Sequence, residues 1–144
     1  MQHENLTREG KAQQIAKWAR IMTKWLITYS HRTGARWNLV DFCGKTGAEA
    51  RGIVDLIAIR KDHRKDVSGL KRGDLFDIVL IQIKGGSAPR PTEEDKARLS
   101  KVAEYHRARA IVLAEWRRGE KLDLFKLEGT DWSPAPVPPA DIFG

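Results

Sequence analysis

Two apolar runs flank a charged insert in the middle of this chain, and each holds polar side chains where an apolar one belongs. The first reads G-I-V-D-L-I-A-I-R-K from Gly52; the second reads D-I-V-L-I-Q-I-K-G-G from Asp77. Their length and Ile/Val/Leu content are those of strands buried on both faces. A carboxylate or ammonium is expensive to bury unless it is paired or binds a metal. Asp55, Gln82 and Lys84 are therefore expected to meet one another, or something bound between them. The insert from Lys61 to Asp74 is polar and contains the turn signal Ser68-Gly69. Read as a hairpin loop, it makes the two runs antiparallel neighbours and sets the start of the first beside the end of the second. Gln82 and Lys84 then share a strand face, with Ile83 on the other. Whether Asp55 joins them depends on register, which a long loop does not fix. An ordinary Asp55–Lys84 ion pair is the plain alternative.

The flanking segments supply the remaining elements. Asn5 or Thr7 caps a helix running to about Tyr29, with Ile15, Trp18, Ala19, Met22, Trp25, Leu26 and Tyr29 at helical spacing as its expected buried face. Trp37–Phe42 reads as a strand. Gly44-Lys45-Thr46 lacks the earlier glycine of a phosphate-binding loop, since position 39 is Leu, and reads as a turn. Glu49, six residues before Asp55, is a further candidate ligand at the same sheet end. Thr92 followed by Glu93-Glu94-Asp95 is an N-cap with acids in the first turn, heading a helix to about Arg107. Strands follow at Ala108–Trp116 and Lys121–Leu127. The order αβββαβ with a final strand predicts one α/β domain over residues 1–130, its mixed central sheet flanked by helices. The proline-rich remainder, 131–144, is expected to be extended or disordered.

Charge bears on partners. Lys and Arg number 26 against 19 Asp and Glu, a formal net charge of +7, which favours polyanions and nucleic acid above all. Lys61, Arg64, Lys65, Lys71 and Arg72 in the insert are phosphate-contact candidates. The single cysteine, Cys43, excludes an internal disulfide and fits a reducing compartment. Four scattered histidines beside one cysteine argue against a zinc site. No signal-like stretch and no apolar run near 18 residues appears, so a cytoplasmic protein without a membrane span is expected.

Asp55 followed by Gln82-Ile83-Lys84 resembles the PD-(D/E)xK nuclease superfamily. The D…QxK form is similar to that of Mrr-like restriction endonucleases, and the Lys84-Gly85-Gly86 exit towards a helix is similar to VRR-Nuc and Holliday-junction resolvase modules. The resemblance spans roughly residues 36–128. The chain departs from the usual pattern at Val54, where proline is usual, and at Gln82, where an acid is usual. The resemblance implies a restriction-endonuclease-like fold and metal-dependent DNA hydrolysis. Asp55, the Gln82 amide and the Ile83 carbonyl would hold Mg²⁺, or Mn²⁺ in its place. Lys84 would lie beside the scissile phosphate. Many relatives add a Glu from the first helix; Glu9 is the nearby acid here, followed by Gln13 and Gln14. A homodimer would be needed for symmetric double-strand cleavage. The competing implication is a nuclease-like module that binds nucleic acid or a protein without cutting.

Overall fold

The second apolar run forms the longest strand, and the sheet is assembled around it. The computed structural model describes residues 8–31, 35–43, 52–64, 66–117 and 119–144. In these, α1 (Arg8–Thr28) precedes β1 (Asn38–Asp41), β2 (Leu56–Lys61) and β3 (Phe76–Gly85). Then come α2 (Glu93–Tyr105), β4 (Ala110–Trp116), β5 (Asp123–Glu128), β6 (Asp131–Trp132) and α3 (Pro139–Phe143). The strands lie side by side in chain order. β1, β2 and β3 form an antiparallel meander, β4 joins β3 in parallel after the α2 crossover, and β5 and β6 continue antiparallel. The molecule is thus α/β with a mixed sheet, and the expected β2–β3 hairpin is present.

Each face of the sheet has its own core. On one side Ile27 of α1 and Phe143 of α3 pack with Leu56, Ala58, Val79, Ile81 and Val112. On the other, Leu99 and Ala103 of α2 pack with Leu80, Ile111, Leu113 and Phe125. Alternation along β3 and β4 feeds both layers, which is why these runs are apolar throughout. The Thr92 cap is present: its hydroxyl accepts from Asp95 N–H, and the Asp95 carboxylate accepts from Thr92 N–H.

Two expectations change. The buried face of α1 is Ala19, Thr23 and Ile27, whereas Trp18, Met22, Trp25 and Tyr29 are exposed. The helix sits too close to the sheet for tryptophans to intervene. A Cβ added at Gly85 would lie 3.1 Å from Ile15 Cγ2, 3.2 Å from the Ile15 carbonyl and 3.3 Å from Ala19 Cβ. Gly85→Val should therefore force α1 away and destabilise the chain by about 1–3 kcal/mol in urea unfolding; unchanged stability would contradict this close approach. The second change is the tail, which is neither wholly extended nor free. Val137 N–H bonds the Leu124 carbonyl, and α3 buries Ile142 and Phe143. The Trp37 indole N–H donates to the Phe143 carbonyl at 2.9 Å. Burial of two large apolar side chains outweighs the proline-rich composition that precedes them.

Candidate active site

The hairpin sets Asp55 beside the Gln82–Lys84 segment, but the three side chains do not converge. The ladder pairs Leu56 with Ile81, yet Asp55 N–H also donates to the Ile81 carbonyl at 3.0 Å. Two residues thus stand against one, the count of a β-bulge, and a bulge re-aims the side chain it carries. Asp55 Oδ2 accepts from Ile83 N–H at 2.7 Å, while the Asp55 carbonyl accepts from Phe42 N–H. The carboxylate also lies within electrostatic reach of Arg20 and Asp41. Gln82 and Lys84 pair in register with Leu113 and Glu115, on the face that packs against α2.

Gln82 carries an unanswered acceptor. Its Nε2 donates to the Ile53 carbonyl at 3.3 Å, and only the NH₂ end of an amide can do this, so the orientation is fixed. Its Oε1 is buried and has no hydrogen-bond partner among the described residues. Such an atom costs about 1–3 kcal/mol unless a donor or cation reaches it. Lys84 is buried; its ammonium donates to the Gly86 carbonyl at 3.1 Å and lies 3.8 Å from Glu115. Glu115 also pairs with Arg90 at 2.9 Å and Arg117 at 4.0 Å, beside an open cleft between the β3–α2 loop and the end of β4.

Two neighbouring carboxyls are tuned in opposite directions. Burial pushes Asp55 above the usual carboxylate value, only partly countered by the Ile83 N–H and the charge of Arg20. Burial would raise Asp41 as well. There, Lys24 at 2.9 Å, Cys43 N–H and Arg20 at 3.2 Å outweigh it and hold the carboxyl below its usual value. Asp41 is thus neutralised by its own cations, and Asp55 is the carboxyl left with unmet demand for positive charge. Its raised folded-state value means that ionised Asp55 opposes folding at neutral pH. That opposition fades as pH falls through the raised value and is gone below about 3.8, the unfolded value. Asp55→Asn should therefore be at least as stable as wild type at pH 7, with the difference closing towards pH 4. Melting curves across that range test this, and a less stable variant at pH 7 would contradict it.

The chemistry of these donors suits a hard cation. Mg²⁺ uses one or two carboxylates, neutral oxygens and water. Asp55, the unpaired Gln82 Oε1 and the Ile83 carbonyl are donors of this type, though the structure holds Asp55 Oδ2 on Ile83 N–H. Among the described residues no three His, Cys, Asp or Glu side chains cluster at metal-binding spacing. Glu49, Lys65 and the side chain of Glu9 lie outside the described residues.

The basic insert stands elsewhere. Asp55 precedes β2 and Lys61 ends it, six residues on, which separates them by about 20 Å of strand. Lys61 lies over the Phe76 ring, and Lys71 and Arg72 are exposed. Arg64 is partly committed, pairing with Asp62 at 3.1 Å and Asp77 at 2.8 Å. The cations that share Glu115 with Lys84 are Arg90 and Arg117, which the sequence reading did not single out. Their partner Glu115 carried a usable signal, a carboxylate closing the apolar run A-I-V-L-A-E-W, as Asp55 interrupts its own. Neither models of known protein families nor curated proteins match this chain. Among the described residues no helix is long and apolar enough to cross a membrane.

Proposed function

We propose that this chain is a metal-dependent endonuclease that hydrolyses DNA phosphodiesters, with a restriction-endonuclease-like core. The observation that carries the reading is the buried Gln82 Oε1, without a partner among the described residues, on the strand whose next N–H holds Asp55. A buried oxygen one residue along the strand from the N–H that holds a buried carboxyl is a donor pair that suits a cation. The antiparallel meander leading into a parallel β3–β4 pair supports the fold assignment.

In this reading Asp55, Gln82 and the Ile83 carbonyl would hold Mg²⁺, which when bound would supply charge neutralisation at the phosphate and a more acidic water. Lys84 stabilises charge developing on the phosphate. To do so its ammonium must turn from Glu115, and the neighbouring Arg90 and Arg117 let that carboxylate stay paired when it does. Lys61, about 20 Å from Asp55 along β2, and the exposed Lys71 and Arg72 of the same insert touch phosphates further along the DNA. One turn of a duplex, about 34 Å, is long enough to reach both.

The second reading, a module that binds without cutting, is favoured by the Lys84–Glu115 pairing, which gives the lysine a structural role. Incubating linear, flap and junction DNAs with Mg²⁺ or Mn²⁺ decides between them: cleavage of at least one supports the nuclease. DNA affinity should fall with salt, with a log–log slope of about 0.9 per phosphate engaged, and neutralising Lys61, Lys65, Lys71 and Arg72 should flatten it. A wild-type slope near zero would remove nucleic acid from both readings.

A further inference from the structure

α1 presents large apolar side chains to solvent in a pattern that a single copy leaves unused. Trp18, Met22, Trp25 and Tyr29 are 49%, 40%, 65% and 73% exposed. Their spacing of four, three and four residues is that of a heptad seam, the arrangement in which helices interlock. The seam runs along a groove of about 790 Å³ walled by Leu122, Leu124 and Pro136–Pro139. We propose that this face is the contact between two copies of the chain, α1 packing antiparallel on α1 of its partner about a two-fold axis between Met22 and Trp25.

The pattern is self-complementary, which singles out a second copy. In an antiparallel pair the first kind of seam position faces the second. Met22 then meets Trp25 of the other copy, Trp18 meets Tyr29, and the axis repeats both contacts, as an isologous interface requires. The four exposed side chains are thus used without remainder. Aromatic side chains offer about 150–250 Å² each, so the exposed fractions amount to roughly 400–500 Å² per copy. Two copies bury about 800–1,000 Å² from these alone, near the lower edge for specific complexes, and Leu122, Leu124 and Pro136–Pro139 beside the seam add to it. Lys11, seven residues before Trp18, is a charge on the line of the seam, and it falls beyond the Trp18–Tyr29 contacts. Gln14, Ile21 and Thr28 rim the seam, and Lys24, off it, is already paired with Asp41.

Sedimentation equilibrium at micromolar concentration should give twice the chain mass of 16.3 kDa. Trp25→Glu should raise the dimer dissociation constant by about a hundredfold or more, since each dimer loses two central aromatic anchors. Its melting curve should show a folded monomer, because Trp25 is exposed in one copy. The register has its own test in a Cys43→Ser background. Chains carrying Trp18→Cys and chains carrying Tyr29→Cys should form a mixed disulfide when combined and none when kept apart. A monomeric wild type, a Trp25→Glu chain that still dimerises, or disulfides between identical variants would each overturn the proposal. None of these readouts depends on nuclease activity.

Discussion

Replacing Asp77 by alanine is expected to destabilise the chain by about 3–5 kcal/mol, the loss typical of removing one partner from a buried ion pair. The carboxylate is 2% exposed and receives Arg60 at 3.3 Å, Arg64 at 2.8 Å and Arg109 at 2.8 Å. The three arginines do not contribute equally. Arg64 is more than half exposed and Arg109 about a third, so water can replace much of what they lose. Arg60 is buried against the Trp37 ring at 4.1 Å, so water cannot readily replace the carboxylate it loses. The effect should spread to the C-terminal helix, because Arg60 also donates to the Gly144 carbonyl and Arg109 to that of Ile142. Adding Arg60→Met to Asp77→Ala should recover part of the loss, since an apolar pair of similar volume can replace a buried ionic one. Urea unfolding of both variants measures this; a loss below about 1 kcal/mol for Asp77→Ala would contradict it.

The sequence made the hairpin, the sheet order near it and the Thr92 cap legible, because each depends on neighbours in the chain. The orientation of Asp55 was not legible. It rests on one extra residue at the end of a ladder, and a polar loop leaves that register free. The pairing of Lys84 with Glu115 was hidden for a different reason: parallel register is set by how α2 packs across the sheet, and nothing local to either strand encodes it. The α1 stripe misled because periodicity identifies an apolar face without saying whether the domain's own core or another surface covers it. Here the small residues Ala19 and Thr23 took the position against Gly85, which bulkier ones could not. The tail misled because Pro134, Pro136, Pro138 and Pro139 dominate its composition, while Ile142 and Phe143 decide its placement.

The second large effect is on cleavage. Asp55→Asn keeps the shape of the side chain and an acceptor for Ile83 N–H, so the fold and DNA binding should survive. It removes the one carboxylate among the proposed cation ligands, and metal-dependent cutting should disappear. Lys84→Ala should slow cutting by about 10²–10³, the loss typical of one transition-state donor. That variant also strands Glu115, but Arg90 and Arg117 remain beside it, so its stability should change little. If Lys84 served only the ion pair, the cutting rate would stay at the wild-type value.

Single-turnover cleavage by wild type and Asp55→Asn, on the same linear and branched DNAs with Mg²⁺ and with Mn²⁺, tests the central claim most directly. The account predicts cutting of at least one substrate by wild type and none by an Asp55→Asn protein that is folded and still binds DNA. A wild type inert on every substrate with both metals, or an Asp55→Asn chain that cuts at the wild-type rate, would contradict it.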